Sequence, residues 1–287
     1  MSRPLILNAV AVCLLLSGCV SQIYFQSPMH GHSSSYKARP MQIDSLTTAN
    51  YLSGHVSFAG NNDRFHDVVL SGTASMHRTH TFKLLQAYYG LNLTAGNYRI
   101  NPGSFDEYQQ NPEKGYTDTY KSRPPFSPGN RFFGAGGATA GFNLQIPINN
   151  THEKAEWRAI GAEFNYHREF GDYYPFRKQL SDTVGSFVER RDYHFTWSIF
   201  SEMLVRGRNK HIYGMKIAYV RNGLPIRTDL KKPQDIDYYL VQNDYLRAGY
   251  MSTTFHITQG KRTYSGQLNL GTKLILLQAG LNYRLGK

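Results

Sequence analysis

Across most of residues 51–285, apolar and polar residues alternate with a period of two, the pattern of β-strands with one apolar and one polar face. Leu52, Gly54, Val56 and Phe58 oppose Ser53, His55 and Ser57, and Leu85, Ala87, Tyr89, Leu91 and Leu93 oppose Gln86, Gly90 and Asn92. Ile160, Ala162, Phe164 and Tyr166 oppose Gly161, Glu163, Asn165 and His167. Tyr264, Gly266, Leu268 and Leu270 oppose Ser265, Gln267 and Asn269, and Leu281, Tyr283 and Leu285 oppose Asn282 and Arg284. The candidate strands are 51–59, 66–77, 81–98, 132–147, 156–168, 193–206, 210–221, 243–257, 262–271 and 274–285. No stretch reads as a long amphipathic helix. The expected class is all-β, an antiparallel up-and-down β-barrel of about ten strands (roughly 8 to 12). Several strands are long for a soluble sheet but suit a tilted membrane crossing.

The connections carry an independent signal. Those near 78–80, 149–155, 207–209 and 258–261 are short, whereas 99–131, 169–192 and 222–242 are long and rich in Pro, Tyr and charge. Tight turns at one end and long loops at the other are the habit of outer-membrane barrels. A start on the periplasmic side puts the long connections outside; the short one near 272–273 breaks the alternation. The 21 Tyr and 16 Phe, beside 18% charged residues, fit strands with rings at a membrane interface. In a membrane barrel Glu163, Asn165, His167, Gln267, Asn269, Asn282 and Arg284 point inward; in a soluble sandwich they face water.

Both ends of the chain carry family-like motifs. Arg3 precedes a short apolar run from Leu5 to Leu16, and Leu16-Ser17-Gly18-Cys19 then resembles the lipobox of bacterial lipoproteins. That resemblance implies cleavage before Cys19, diacylation of its thiol, acylation of the new amino group (palmitate), and residence in a Gram-negative envelope. Val20, in place of Asp, resembles lipoproteins sent to the outer membrane. Gln278-Ala279-Gly280-Leu281-Asn282-Tyr283-Arg284-Leu285 resembles the C-terminal β-signal of outer-membrane proteins, without that family's terminal aromatic because Gly286 and Lys287 follow. The whole resembles a lipid-anchored outer-membrane β-barrel: residues 1–18 a signal peptide, 19–50 a lipidated flexible tether on the periplasmic side, and 51–287 the barrel.

Composition excludes other classes. Both cysteines, Cys13 and Cys19, belong to the signal and its cleavage site, which removes disulfides, thiolate nucleophiles and Cys-ligated zinc from the mature chain. A formal charge of +12 suits contact with lipid phosphate, lipopolysaccharide or acidic glycans, while no basic helix or RNP-like motif points to nucleic acid. No Gly-x-Ser-x-Gly elbow, phosphate loop or HExxH motif is present, and no cofactor is implied.

The residues with latent chemistry are few. Glu163 and His167 share one face of one strand with Glu202 on a nearby one, a pattern that serves acid–base catalysis or the interlocked interior of a small barrel. His30 and His32 have chelate spacing in the tether, without a third ligand. The 101–131 loop offers Tyr108, Tyr116, Tyr120, Phe126 and Arg123 for glycan or protein contact. The leading expectation is a structural, binding or envelope-interaction protein. Two other readings stay open at this point: an outer-membrane enzyme acting on lipid or lipopolysaccharide, and a soluble lipid-tethered domain serving a larger envelope complex.

Overall fold

Each barrel strand pairs antiparallel with the next barrel strand in sequence, and whether the last meets the first separates a barrel from a sandwich. In the computed structural model they meet: Leu274–Leu285 pairs antiparallel with Asn50–Asn61 in unbroken register. The structure describes residues 23–44, 46–61, 67–101, 128–149, 154–180, 186–223, 249–271 and 274–286. Ten strands close the barrel: β2 (Thr48–Asn61), β3 (Asp67–Phe82), β4 (Leu85–Ile100), β5 (Gly129–Asn149), β6 (Lys154–Phe170), β8 (Tyr193–Arg206), β9 (Ile212–Asn222), β10 (Gly249–Gln259), β11 (Arg262–Gly271) and β12 (Leu274–Leu285). Two three-residue strands, β1 (Ile23–Phe25) and β7 (Ser186–Val188), pair in parallel outside that sheet.

The two faces sort as a transmembrane barrel requires. Leu52, Val56, Phe58, Leu91, Leu93, Phe164, Leu277 and Leu281 point outward and are exposed, while Ser53, His55, Ser57, Thr94, Asn165, Gln267, Asn269 and Asn282 point inward and are buried. Aromatic rings stand at both rims of the apolar band, with Phe82, Trp157, Tyr213 and Tyr283 at one end and Phe132, Phe170 and Tyr193 at the other. The tight connections (83–84, 150–153, 207–211 and 260–261) share the first of these ends with both Thr48 and Leu285. The long connections share the second.

Two expectations need correction. The turn placed at 78–80 lies at Lys83 and Leu84, where Lys83 takes a φ of 41°. Beyond the apolar band the outward face is free to be polar, so Arg78 and His80 continue β3 rather than ending it. The described part of the strand expected over 243–257 begins at Gly249, and residues 243–248 lie outside the described ones.

The second correction is the larger. Residues 25–44, part of the stretch expected to be a flexible tether, run through the barrel. Every residue from Phe25 through Met41 is buried, including the four-residue helix α1 (Met29–His32). A chain with Ser33-Ser34-Ser35 and two prolines lacks a period of its own, yet its backbone groups match the polar inner wall. The short strand β1 sets the direction of travel. Because β7 lies in the 171–192 connection, β1 sits at the long-loop end, and the chain descends from there to Thr48 at the short-turn end.

The sidedness has a measurable consequence. Leu93→Arg, midway along the outward face of β4, is expected to cost about 2–4 kcal/mol in a lipid bilayer, against under ~1.5 kcal/mol for Leu93→Met. Urea unfolding of the barrel in vesicles measures both, and equal costs would sink the assignment of this face to lipid.

Candidate functional site

The inward-pointing residues carry charge, and a buried charge persists only when paired. At the centre lies Glu202 of β8, 1% exposed. Its Oε2 accepts hydrogen bonds from Arg39 Nη2 of the threaded segment and from Arg158 Nη1 of β6 at 2.8 Å. Its Oε1 accepts from the Tyr36 hydroxyl at 2.9 Å and lies 3.0 Å from His256 Nε2 of β10. Arg158 donates onward to Glu156 at 3.0 Å and to the Pro40 carbonyl at 3.0 Å. Arg39 also donates to Asn143 at 2.9 Å, with its guanidinium 4.8 Å from the Tyr88 ring centre. A second cluster surrounds Glu163, which accepts from Tyr88 at 2.7 Å, Asn165 at 3.1 Å and Ser34 at 3.3 Å and lies 3.8 Å from Lys216.

Local backbone makes these approaches possible. Gly141 on β5 lies under the Tyr88 ring, where an added Cβ would come within 2.4 Å of it. A Cβ on Gly214 would meet His256 Nε2 at 2.1 Å. A β-bulge between Arg158 and Gly161 inserts one residue into β6 and flips its parity, so Glu156 and Arg158 face inward together with Glu163, Asn165 and His167.

The sequence-derived candidates divide as follows. Glu163, His167 and Glu202 all lie inside, 0%, 1% and 1% exposed, but Glu163 and His167 do not pair. His167 Nδ1 has no partner among the described residues. The carboxylate–imidazole pair that does form is Glu202 with His256. His30 Nδ1 lies 3.3 Å from Asn222 Oδ1, and His32 Nδ1 lies 2.7 Å from the Pro28 carbonyl. No group of three or more His, Cys, Asp or Glu suited to a metal occurs among the described residues. Cys19 and the ring-bearing loop positions Tyr108, Tyr116, Tyr120, Phe126 and Arg123 lie outside those residues.

Sequence reasoning missed Tyr36, Lys37 and Arg39, because a segment read as linker gives no reason to look for buried charge. It missed Glu156 and Arg158 because the bulge breaks the alternation. Lys216 and His256 sit at inward parity and were legible.

Both mouths have their own chemistry. At the long-loop end the helix α2 (Tyr173–Gln179) folds over the entering segment, with Phe176 edge-on to Phe25 at 5.9 Å and Tyr173 stacked on Tyr98 at 4.1 Å. Arg177 anchors α2 to Glu169 at 2.6 Å, and burial pushes the Tyr173 phenol above its ordinary pKa, keeping it neutral. At the short-turn end a cavity of about 420 Å³ is lined by Arg39, Lys154, Arg206, Lys210, Lys261 and Arg284, with Asp44 paired to Arg206.

Neither a family model nor a curated protein matches this sequence. Among solved structures the chain is similar to the transport unit of the autotransporter AIDA-I from Escherichia coli, at 8% identity, 91% of this chain, 100% of that one and a TM-score of 0.42. It is also similar to the beta domain of the Bordetella autotransporter BrkA (9% identity, 84% of this chain, 100% of that one, TM-score 0.38). A third likeness is the KdgM porin (6% identity, 83% of this chain, 99% of that one, TM-score 0.26). The architecture rests on the chain's own strand pairing, a closed antiparallel ten-stranded barrel with an apolar exterior and a polar interior.

Removing one partner from a buried ion pair costs more than the pair contributes, because a charge is stranded. Glu202→Ala leaves Arg39 without a carboxylate and is expected to cost about 3–5 kcal/mol. The urea midpoint of heat-modifiable migration reads this out; an unchanged midpoint would remove Glu202 from the stabilising network.

Proposed function

We propose that this chain is an outer-membrane lipoprotein anchored at Cys19, whose barrel is closed by its own N-terminal segment and serves as a scaffold for envelope contacts rather than as a conduit. The observation that carries this reading is the filled lumen. Asn222, Glu202, His256, Asn282, Asn143, Gln86 and Gln267 each bond to a residue between His30 and Pro40, so the segment is fixed from most sides of the wall. Breaking such a set at once is costly, so the segment is expected to hold its place against a solute. The apolar belt, the rim aromatics and the segregation of long from short connections support the outer membrane as its place. The Leu-Ser-Gly-Cys motif supports the lipid.

Contact then falls to the outward connections and to the mouths. Lipopolysaccharide, a glycan or another envelope protein are the partners that the net positive charge and aromatic-rich loops favour. Enzymatic turnover of lipid is not favoured. Glu163, His167 and Glu202 lie beneath the threaded segment, whereas a lipid against the barrel meets Leu, Phe and Met side chains.

Conductance tests the scaffold reading. The full chain in a planar bilayer is expected to stay near baseline, and Tyr36→Ala combined with Arg39→Ala, which frees the segment from Glu202, is expected to open discrete steps. Stable porin-sized conductance from the unmodified chain would overturn the scaffold reading in favour of a channel.

A further inference from the structure

We propose that the acylated N-terminus lies on the outer face of the membrane, having passed through the barrel's own lumen, so that the Cys19 lipid sits in the outer leaflet. This rests on the Cys19 anchor proposed above and adds its side. The argument is one of length. Ile23 pairs with Ser186, in the connection between β6 and β8 at the long-loop end. Cys19 precedes Ile23 by four residues, which span at most about 14 Å when fully extended. The apolar band of an outer-membrane barrel is about 25 Å tall. With β1 in place, Cys19 therefore falls short of the opposite leaflet by at least about 11 Å, even along the shortest path. The glyceryl group must stay at an interface, and the outer interface is the one within reach.

Three independent contacts hold the entry point at that end. Glu189 donates its backbone N–H to the Phe25 carbonyl at 2.9 Å, the Tyr173 hydroxyl donates to the Gln26 carbonyl at 3.4 Å, and His30 meets Asn222 at the outer end of β9. Below them the order is monotonic: Ser34 bonds Glu163, Ala38 bonds Asn282, Gln42 bonds Glu156, and Thr47 accepts from Thr81. The segment thus descends without turning back, and an arm that left the barrel on the periplasmic side would have to abandon all of it. An acylated residue is too bulky to be drawn through a closed and filled barrel, so β12 must join β2 around a segment already in place.

Site-directed thiol labelling on intact cells tests the side. The mature chain has no cysteine besides Cys19, so Gln22→Cys adds the sole free thiol once Cys19 is acylated. A membrane-impermeant maleimide is expected to label it on intact cells, as it labels Lys178→Cys in the outer helix, whereas Lys261→Cys at a short turn reacts only after the outer membrane is permeabilised. Labelling of Gln22→Cys only after permeabilisation overturns the proposal while leaving the lipid anchor standing. Palmitate incorporation in the same cells, lost in Cys19→Ala, reports the anchor separately; its absence removes the lipid and this proposal with it. Should the Gln22→Cys thiol prove unreactive in both states, Gln22→Arg supplies a trypsin site. Its cleavage on intact cells supports the outer placement, and protection there with cleavage after permeabilisation overturns it.

Discussion

A closed ten-stranded sheet turns half of its side chains inward, and here many of those are Ser, Thr, Asn, Gln, His, Glu, Lys and Arg. Such an interior is stable only if water fills it or if protein supplies the missing partners. The residues between Phe25 and Asp44 take the second course. They bring backbone donors and acceptors that pair with the wall, together with Tyr36, Lys37 and Arg39, into the space where water would otherwise stand. Barrel and segment are therefore conditions for one another. Without the segment Glu202 loses Arg39 and Tyr36 and Glu163 loses Ser34, and the segment has no fold without the wall.

The network around Glu202 shows how tightly the two are joined. One carboxylate meets two guanidiniums, a phenol and an imidazole drawn from the segment, β6 and β10. A buried ion pair on its own is weak support for stability. This one links three parts of the chain that are far apart in sequence, so its value lies in register: it sets the depth at which the segment sits. The cations left over gather at the short-turn mouth, where Lys154, Lys210, Lys261 and Arg284 ring the cavity beside Arg39. Part of the net positive charge of the sequence is thus concentrated at one end of the barrel.

The strands were readable because lipid and lumen impose opposite chemistry on alternate residues, a signal that survives without knowledge of partners. Their ends were less so. Past the apolar band the outer face no longer has to be apolar, and Arg78 and His80 read as a turn although β3 continues to Phe82. The bulge after Arg158 shows the same limit, since one extra residue reverses parity and hides two charged groups from a period-two reading. The threaded segment was illegible for a deeper reason. It has no period because it has no face: it is enclosed all round by a wall whose residues come from the rest of the chain. Only His30, His32, Tyr36, Lys37 and Arg39, dense in hydrogen-bonding capacity among serines, hinted that the stretch was more than a linker.

That enclosure ties the segment to the seam that closes the barrel. Hairpins such as β3–β4 and β10–β11 join strands adjacent in sequence through turns of two residues and can form at little loop-closure cost. The β12–β2 seam joins strands more than two hundred residues apart, and Asn282 beside it bonds both Ser53 of the wall and Ala38 of the segment. Asn282 therefore holds wall and segment together where the sheet closes, and one side chain couples the fit of the segment to the register of the seam.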